Sequence, residues 1–368
     1  MPNPYDSLPE DRFWRSAVAE RDALEISGLW KPKLQIKRRT RIVTAGSCFA
    51  QHFARALVAR GYRWGDHEPG PAGLSPEQKR DYHYGTFSFR TGNIYTPRIL
   101  LQWLTWALTD TPPPEEVWEK DGRLIDPFRP GVEPGGFASV EELVTSRRDT
   151  LAAIRSAVQS SHVFVFTLGL TEAWQNLATG AEYAVCPGTV AGSFDPAAHG
   201  FVNHRHAALM ADMTAVLRLL VKATRSLCLL LTVSPVPLTA TASGQHVLTA
   251  TSHSKSLLRA VASELVETHP RVDYFPSYEI ITHPAYRGRF YAANQRSVLP
   301  AGVDHVMDCF FRDQALAFGG PPVPAPQAPP PDSAAPPVEP EMTEAEELRC
   351  EEEILAAFAP KARGPSDG

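Results

Sequence analysis

Val163-Phe164-Val165-Phe166-Thr167-Leu168 constrains this chain more than any other segment, because it is apolar without interruption and offers no polar face. A strand of that kind has to be covered on both sides, as a central strand of a parallel sheet is. The run from Leu227 to Val233 repeats the pattern, and Arg41-Ile42-Val43-Thr44 is a shorter, β-branched version of it. A fourth strand is expected within 272–281. The intervening stretches follow helical spacing. Ile99, Leu100, Trp103, Leu104 and Leu108 do so over 98–108, and Leu209, Met213, Val216, Leu217 and Leu220 over 205–225. Further helices are expected at 139–159, with Ser139 as N-cap and Glu142 three residues on, at 252–267 and at 300–311. This alternation predicts an α/β chain with a three-layer α/β/α architecture and a mostly parallel sheet. Segments 41–45, 163–168, 227–233 and 272–281 should lie side by side in it.

The first strand runs into Gly46-Ser47-Cys48-Phe49-Ala50, after which Phe49, Phe53, Ala56 and Leu57 recur at helical spacing up to Gly61. A hydroxyl and a thiol therefore stand where a strand turns into a helix, at the carboxyl edge of a sheet, with helix N–H groups aimed at them. Ser47 suits a nucleophile or an anion contact there; alternatively it is only the N-cap of the helix. Cys48 is the rival nucleophile, because the helix dipole favours a thiolate in the first turn. Its bland alternative is a small buried apolar residue. The Cys48 backbone N–H is a candidate oxyanion donor in either case.

These five residues spell the signature of the GSCFA family, and the chain resembles that family and, through it, the SGNH (GDSL-type) esterases and acyl transferases. Gly92-Asn93-Ile94-Tyr95-Thr96, Thr167-Leu168-Gly169-Leu170-Thr171-Glu172-Ala173-Trp174 and Thr232-Val233-Ser234-Pro235-Val236-Pro237 support the resemblance, which covers roughly residues 35–315. It implies an SGNH-hydrolase-like, flavodoxin-like α/β/α fold and ester or acyl chemistry. Ser47 would then be the catalytic serine. Gly92 and Asn93 fall where the oxyanion-hole glycine is expected, and Gly169 falls at the block that carries the asparagine. Thr171 and Glu172 stand there instead, so a carboxylate could bind a sugar hydroxyl or orient a base. Both glycines could equally be turn residues that need positive φ.

The resemblance also implies Asp-x-x-His before the last helix, where this chain reads Asn294-Gln295-Arg296-Ser297. His283, after the fourth strand, and His305, beside Asp304, are the two imidazoles nearby that could serve as base. Arg296 could bind an anionic group in two-point fashion. His204 and His206 have i, i+2 spacing with no evident third ligand, so no metal is expected, and no cofactor either.

Net charge is −5 over 368 residues, and Lys37-Arg38-Arg39 with Arg41 is the only basic cluster. That argues against nucleic acid. Five scattered cysteines without a CxxC pair, and no secretory leader at the start, predict reduced thiols in a cytoplasmic protein. No apolar run is long enough to span a bilayer. Residues 1–34, with Trp14 and Trp30, are expected to form an arm on the core. Residues 62–96 read as loops with short strands, and 175–204 as a second irregular stretch. The Gly/Pro-rich insertion 121–138 is of the kind that often borders a site.

Residues 319–340 carry ten prolines and read as an extended linker. Residues 341–368 form an acidic tail. Within it, 343–358 suggests a short helix capped by Thr343 and Glu346, with Leu348, Ile354, Leu355 and Phe358 as a thin apolar face for a protein partner. Two functions follow: an SGNH-like hydrolase or acyltransferase acting on an ester or acyl group of a carbohydrate or glycan through Ser47, or a catalytically degenerate fold serving as a binding or scaffold protein.

Overall fold

The computed structural model describes residues 3–320 and 351–359. Among these residues nine strands are assigned: β1 (Ile42–Gly46), β2 (Trp118–Lys120), β3 (Arg123–Ile125), β4 (Val163–Leu168), β5 (Glu172–Asn176), β6 (Glu182–Tyr183), β7 (His199–Asn203), β8 (Cys228–Val233) and β9 (Val272–Tyr274). The α-helices are α1 (Phe49–Ala59), α2 (Pro76–Asp81), α3 (Pro97–Leu108), α4 (Val140–Ser160), α5 (His206–Ala223), α6 (Val247–Thr268), α7 (Ser277–Thr282) and α8 (Pro300–Phe318). The central sheet has the order β1-β4-β8-β9 and is parallel throughout. Thr44 pairs with Val165, and Thr167 pairs with Thr232, so the carboxyl ends of the strands line up. A single parallel bridge between Ile42 and Trp64 extends the sheet beyond β1.

Strand alternation sends residues to two separate apolar layers. Val43, Phe164, Phe166, Leu168, Leu229 and Leu231 point to one, where Trp103, Ile154, Met213 and Leu258 bring in α3, α4, α5 and α6. Ile42, Val163, Val165 and Leu230 point to the other, where α1 and α8 contribute Phe53, Leu57, Met307 and Phe310. The result is an α/β/α sandwich of three layers. Both central strands are buried along nearly their whole length, as their lack of a polar face requires.

Several boundaries differ from expectation for local reasons. The segment 272–281 is a three-residue strand followed by α7, because Pro276 cannot donate to a ladder and starts a new helix. The stretch 175–204 is not irregular: β6-β5-β7 form an antiparallel sheet of three short strands. Residues 62–96 hold α2, capped by Ser75 and Gln78, and the one bridge at Trp64 rather than paired strands. Helix α6 begins at Val247, earlier than expected, and α8 runs on to Phe318. Ser139 caps α4 as expected by accepting from Glu142 N–H, but the Glu142 carboxylate reaches Ala138 N–H, not Ser139.

The amino-terminal arm packs through Trp30, stacked 5.0 Å from Phe310, while Trp14 stays largely exposed. The Asp313 carboxylate accepts from Gly28 and Trp30 N–H at 3.0 and 2.9 Å, and Asp273 from Lys33 N–H at 2.8 Å. Among the described residues no helix is long and apolar enough to cross a membrane. Of the tail, only 351–359 is described, and Glu351–Phe358 is a 3₁₀ helix. The expected linker beyond Gly320 and the Thr343–Glu346 cap lie outside the described residues.

Candidate functional site

Three loops meet at the carboxyl edge of β1 and β4. Gly46 ends β1 with φ of 135°, and a Cβ there would stand 2.4 Å from Thr167 O, so only glycine lets the two strand ends come this close. Ser47 N–H donates to Thr167 O at 3.0 Å. The segment 92–95 closes over this point: Ile94 N–H donates to Gly46 O at 2.8 Å, and Tyr95 O accepts from Gly169 and Leu170 N–H at 3.0 Å each. A Cβ at Gly169 would lie 3.0 Å from Tyr95 O and 3.1 Å from Ser47 Cβ. Gly169 is therefore required by close approach, with no positive φ, whereas Gly92 does hold a left-handed turn at φ 68°. Ser47, Asn93 and Gly169 are thus gathered at one place.

Ser47 is 2 % exposed, and its Oγ has no hydrogen-bond partner. It is not a helix cap: Cys48 occupies the N-cap position, and no side chain there accepts a helix N–H. Cys48 is buried in the apolar layer with Phe49 and Phe53. Gly169, which by resemblance stands at the block that carries the asparagine, has its N–H engaged by Tyr95 O. Thr171 faces away into its own bonds, with N–H to Ser254 Oγ at 3.0 Å and Oγ1 to Asn203 Oδ1 at 2.8 Å. Glu172, the first residue of β5, accepts from Thr241 Oγ1 at 2.7 and 3.0 Å.

Neither candidate histidine bonds Ser47. His305 is stacked on Phe290 at 5.2 Å and stands 3.7 Å from Cys309 Sγ; burial, then Arg312, pushes its pKa down. His283 accepts from Ala285 N–H at 3.2 Å and packs 5.5 Å from the Trp14 ring. The turn 294–297 is held near the edge of β8 by Tyr291 Oη, which donates to Pro235 O at 2.7 Å. Within it Asn294 Nδ2 donates to Ser297 Oγ at 2.9 Å, and Asn294 Oδ1 accepts from the N–H groups of Arg296 and Ser297, both at 2.9 Å. Asn294 and Ser297 are thus bonded to each other through both side chain and backbone.

Two features near this edge lie outside the sequence expectations: the Lys255 side chain, and the partner of His204, which the sequence pairs only with His206. Lys255 on α6 is 1 % exposed, and its Nζ donates to Gly169 O at 2.7 Å, so a buried amino group supports the very turn that touches Ser47. Its signal was readable: Lys255 lies on the apolar stripe of α6 with Leu258 and Ala262. The second group is His204, whose Nε2 stands 2.6 Å from Glu182 Oε1, while Thr96 Oγ1 donates to Glu182 Oε2 at 2.9 Å. His204 N–H donates to Thr171 O at 2.8 Å, which ties this buried imidazole–carboxylate pair to the 169–172 turn. No local pattern announces it, because Thr96, Glu182 and His204 come from three distant segments. Among the described residues, no group of three or more His, Cys, Asp or Glu side chains is placed to hold a metal ion.

The arrangement offers a buried, unsatisfied hydroxyl between fixed backbone turns, with the Lys255 amino group behind one of them. No curated protein and no solved structure matches the chain. The family model does: over residues 41–310, from β1 into α8, the chain matches GSCFA and belongs to the GSCFA family.

Proposed function

We propose that the carboxyl edge around Ser47 is a site for an ester or acyl group, and that the chain is an SGNH-like hydrolase or acyltransferase whose acyl substrate is a carbohydrate or glycan. The observation that carries this reading is the Ser47 hydroxyl itself, 2 % exposed and without a hydrogen-bond partner. A buried hydroxyl left unpaired costs about 1–3 kcal/mol, so a serine kept only for the fold would be expected to find a partner. Ser47 Oγ would attack the acyl carbon, its proton passing by way of a base to the alkoxide oxygen as the acyl C–O bond breaks and the alcohol leaves, and the acyl-enzyme would be resolved by water or a sugar hydroxyl, which takes the acyl group and returns the proton to Ser47. Lys255, through Gly169, fixes the turn beside the reacting carbon.

A second reading, binding without turnover, is favoured by the Asn294–Ser297 pair in the acid–base slot. The two separate in one experiment. Short p-nitrophenyl esters and acetylated sugars are assayed with the wild type, Ser47→Ala, Cys48→Ala and the double variant Asn294→Asp/Ser297→His. The enzyme reading expects turnover that Ser47→Ala abolishes and Cys48→Ala largely spares. Turnover only in the double variant selects the binding reading. Activity lost on Cys48→Ala and kept on Ser47→Ala rejects Ser47 as nucleophile.

A further inference from the structure

A cavity of about 470 Å³ lies between the amino-terminal arm and the segment 284–289 ahead of α8. Its charged wall residues are Arg21 and Asp22 from the arm and Arg287 and Arg289 from the segment. The wall thus carries three positive charges against one negative, in a chain whose net charge is −5. Guanidinium groups stay protonated at any ordinary pH. An excess of one sign lining a cleft concentrates ligands of the other sign there.

The guanidinium groups have little else to bind. Among the described residues the Arg287 and Arg289 side chains have no hydrogen-bond or ion-pair partner. Arg21 donates through Nε to Ser16 O at 3.0 Å and stands 3.6 Å from Glu10, an exposed pair of the kind that contributes little in water. The acid is already engaged: the Asp22 carboxylate accepts from Leu24 N–H at 2.8 Å and caps the turn Ala23–Glu25. Arg287 holds φ 54°, in the left-handed region that favours glycine, and so ends the short 3₁₀ turn Pro284–Tyr286. Arg289, two residues on, lines the same wall.

Trp14 adds an aromatic surface to this cavity. It is 63 % exposed, its ring 5.5 Å from that of His283. An indole left so open can stack on a flat or sugar ring. Guanidinium forks match phosphate oxygens two at a time. A phosphate monoester brings about two negative charges at pH 7, which equals the excess on the wall.

We propose that this cavity binds a phosphate monoester, with Arg21, Arg287 and Arg289 on the phosphoryl group and Trp14 on the ring that carries it. Nothing in such a site requires Ser47 to be a nucleophile, and its test reads binding alone. Adenosine 5′-monophosphate, glucose 1-phosphate, inorganic phosphate and adenosine are titrated calorimetrically into the full chain, Arg287→Ala/Arg289→Ala and Trp14→Ala. All three replaced residues are exposed, so both variants should keep the wild-type unfolding midpoint. At least one ester should bind more tightly than inorganic phosphate, and the tighter ester tells a nucleotide from a sugar phosphate as the source. The double arginine variant should lose at least about tenfold in affinity for that ester. Trp14→Ala should lose about tenfold for it while binding inorganic phosphate as the wild type does. Adenosine binding as tightly as its monophosphate, an affinity unchanged by loss of the two arginines, or no heat from either ester at about 10 mM overturns the proposal.

Discussion

Two of the places where the chain buries polar groups are finished differently. In the insertion 121–138, Asp126 accepts from Arg129 Nε at 2.8 Å and from Arg147 at 2.8 and 3.0 Å, all three side chains being at most 5 % exposed. Arg129 continues to Thr150 Oγ1 at 2.7 Å and Ser146 Oγ at 3.0 Å. At the edge of the central sheet, by contrast, Ser47 Oγ and Thr167 Oγ1 are enclosed and have no partner. Buried polar groups are nearly always bonded. The first cluster therefore reads as scaffold, pinning the insertion to α4, although the sequence suggested a loop bordering a site. The second leaves its two hydroxyl groups without a partner.

Breaking the finished cluster should have the largest effect. Burial raises the Asp126 carboxyl, but Arg129 and Arg147 outweigh it and hold the pKa below its ordinary value. Asp126→Ala leaves two guanidinium groups buried without their counter-charge, which should cost about 3–5 kcal/mol. Urea denaturation would show this as a lower midpoint at unchanged slope. A loss below about 1 kcal/mol would mean that water already screens the cluster, and the contrast with Ser47 would fail.

An intermediate effect is expected at His52, a turn along α1 from Ser47, whose enclosed Nε2 also lacks a partner. Burial, then Arg55, holds its pKa down at about 3. The unfolded chain binds a proton there near the ordinary histidine value, which the folded chain does not. The stability this group contributes is thus fully present above about pH 6.5 and is lost as pH falls toward 3. The slope is at most about 1.4 kcal/mol per pH unit. Replacing the ring by His52→Leu should flatten that limb of the stability–pH curve between pH 6 and 4. An unchanged limb would show that His52 ionises freely in the folded state.

How much of this was legible depended on sequence distance. The central sheet could be read because each strand carries its own evidence: Phe164, Phe166 and Val165 leave no polar face whatever they pair with. The turn at Gly46–Ser47 was equally local. Strands β5, β6 and β7 escaped because they are short, and residues such as Glu172 and Gln175 give no period until Glu182 and Phe201 lie beside them. The place of Leu355 and Phe358, which line a cavity with Trp174 and Leu238, lay out of reach for the same reason. Their apolar spacing was visible, but the rest of that wall is assembled from β5, β6, β7 and the loop after β8. His283 and His305 stand close in sequence to the 294–297 turn. Aromatic neighbours from other segments, Trp14 and Phe290, decide where their rings lie.

The smallest expected change in stability is the most informative about the site. Ser47→Ala removes a hydroxyl that bonds nothing in the folded chain. A serine whose Oγ carried an ordinary hydrogen bond would lose about 0.5–1.5 kcal/mol on this substitution. Here the β-carbon stays, the backbone bond from Ser47 N–H to Thr167 O is untouched, and only a desolvated, unsatisfied atom disappears. The midpoint of thermal unfolding should therefore stay level or rise, by the equivalent of at most about 1–3 kcal/mol. Measured beside the ester assay, a variant that is inactive yet no less stable would mark Ser47 as a residue kept for chemistry at the expense of the fold. A drop of more than about 1 kcal/mol would instead reveal a structural partner for the hydroxyl and remove the difference between this edge and the cluster around Asp126.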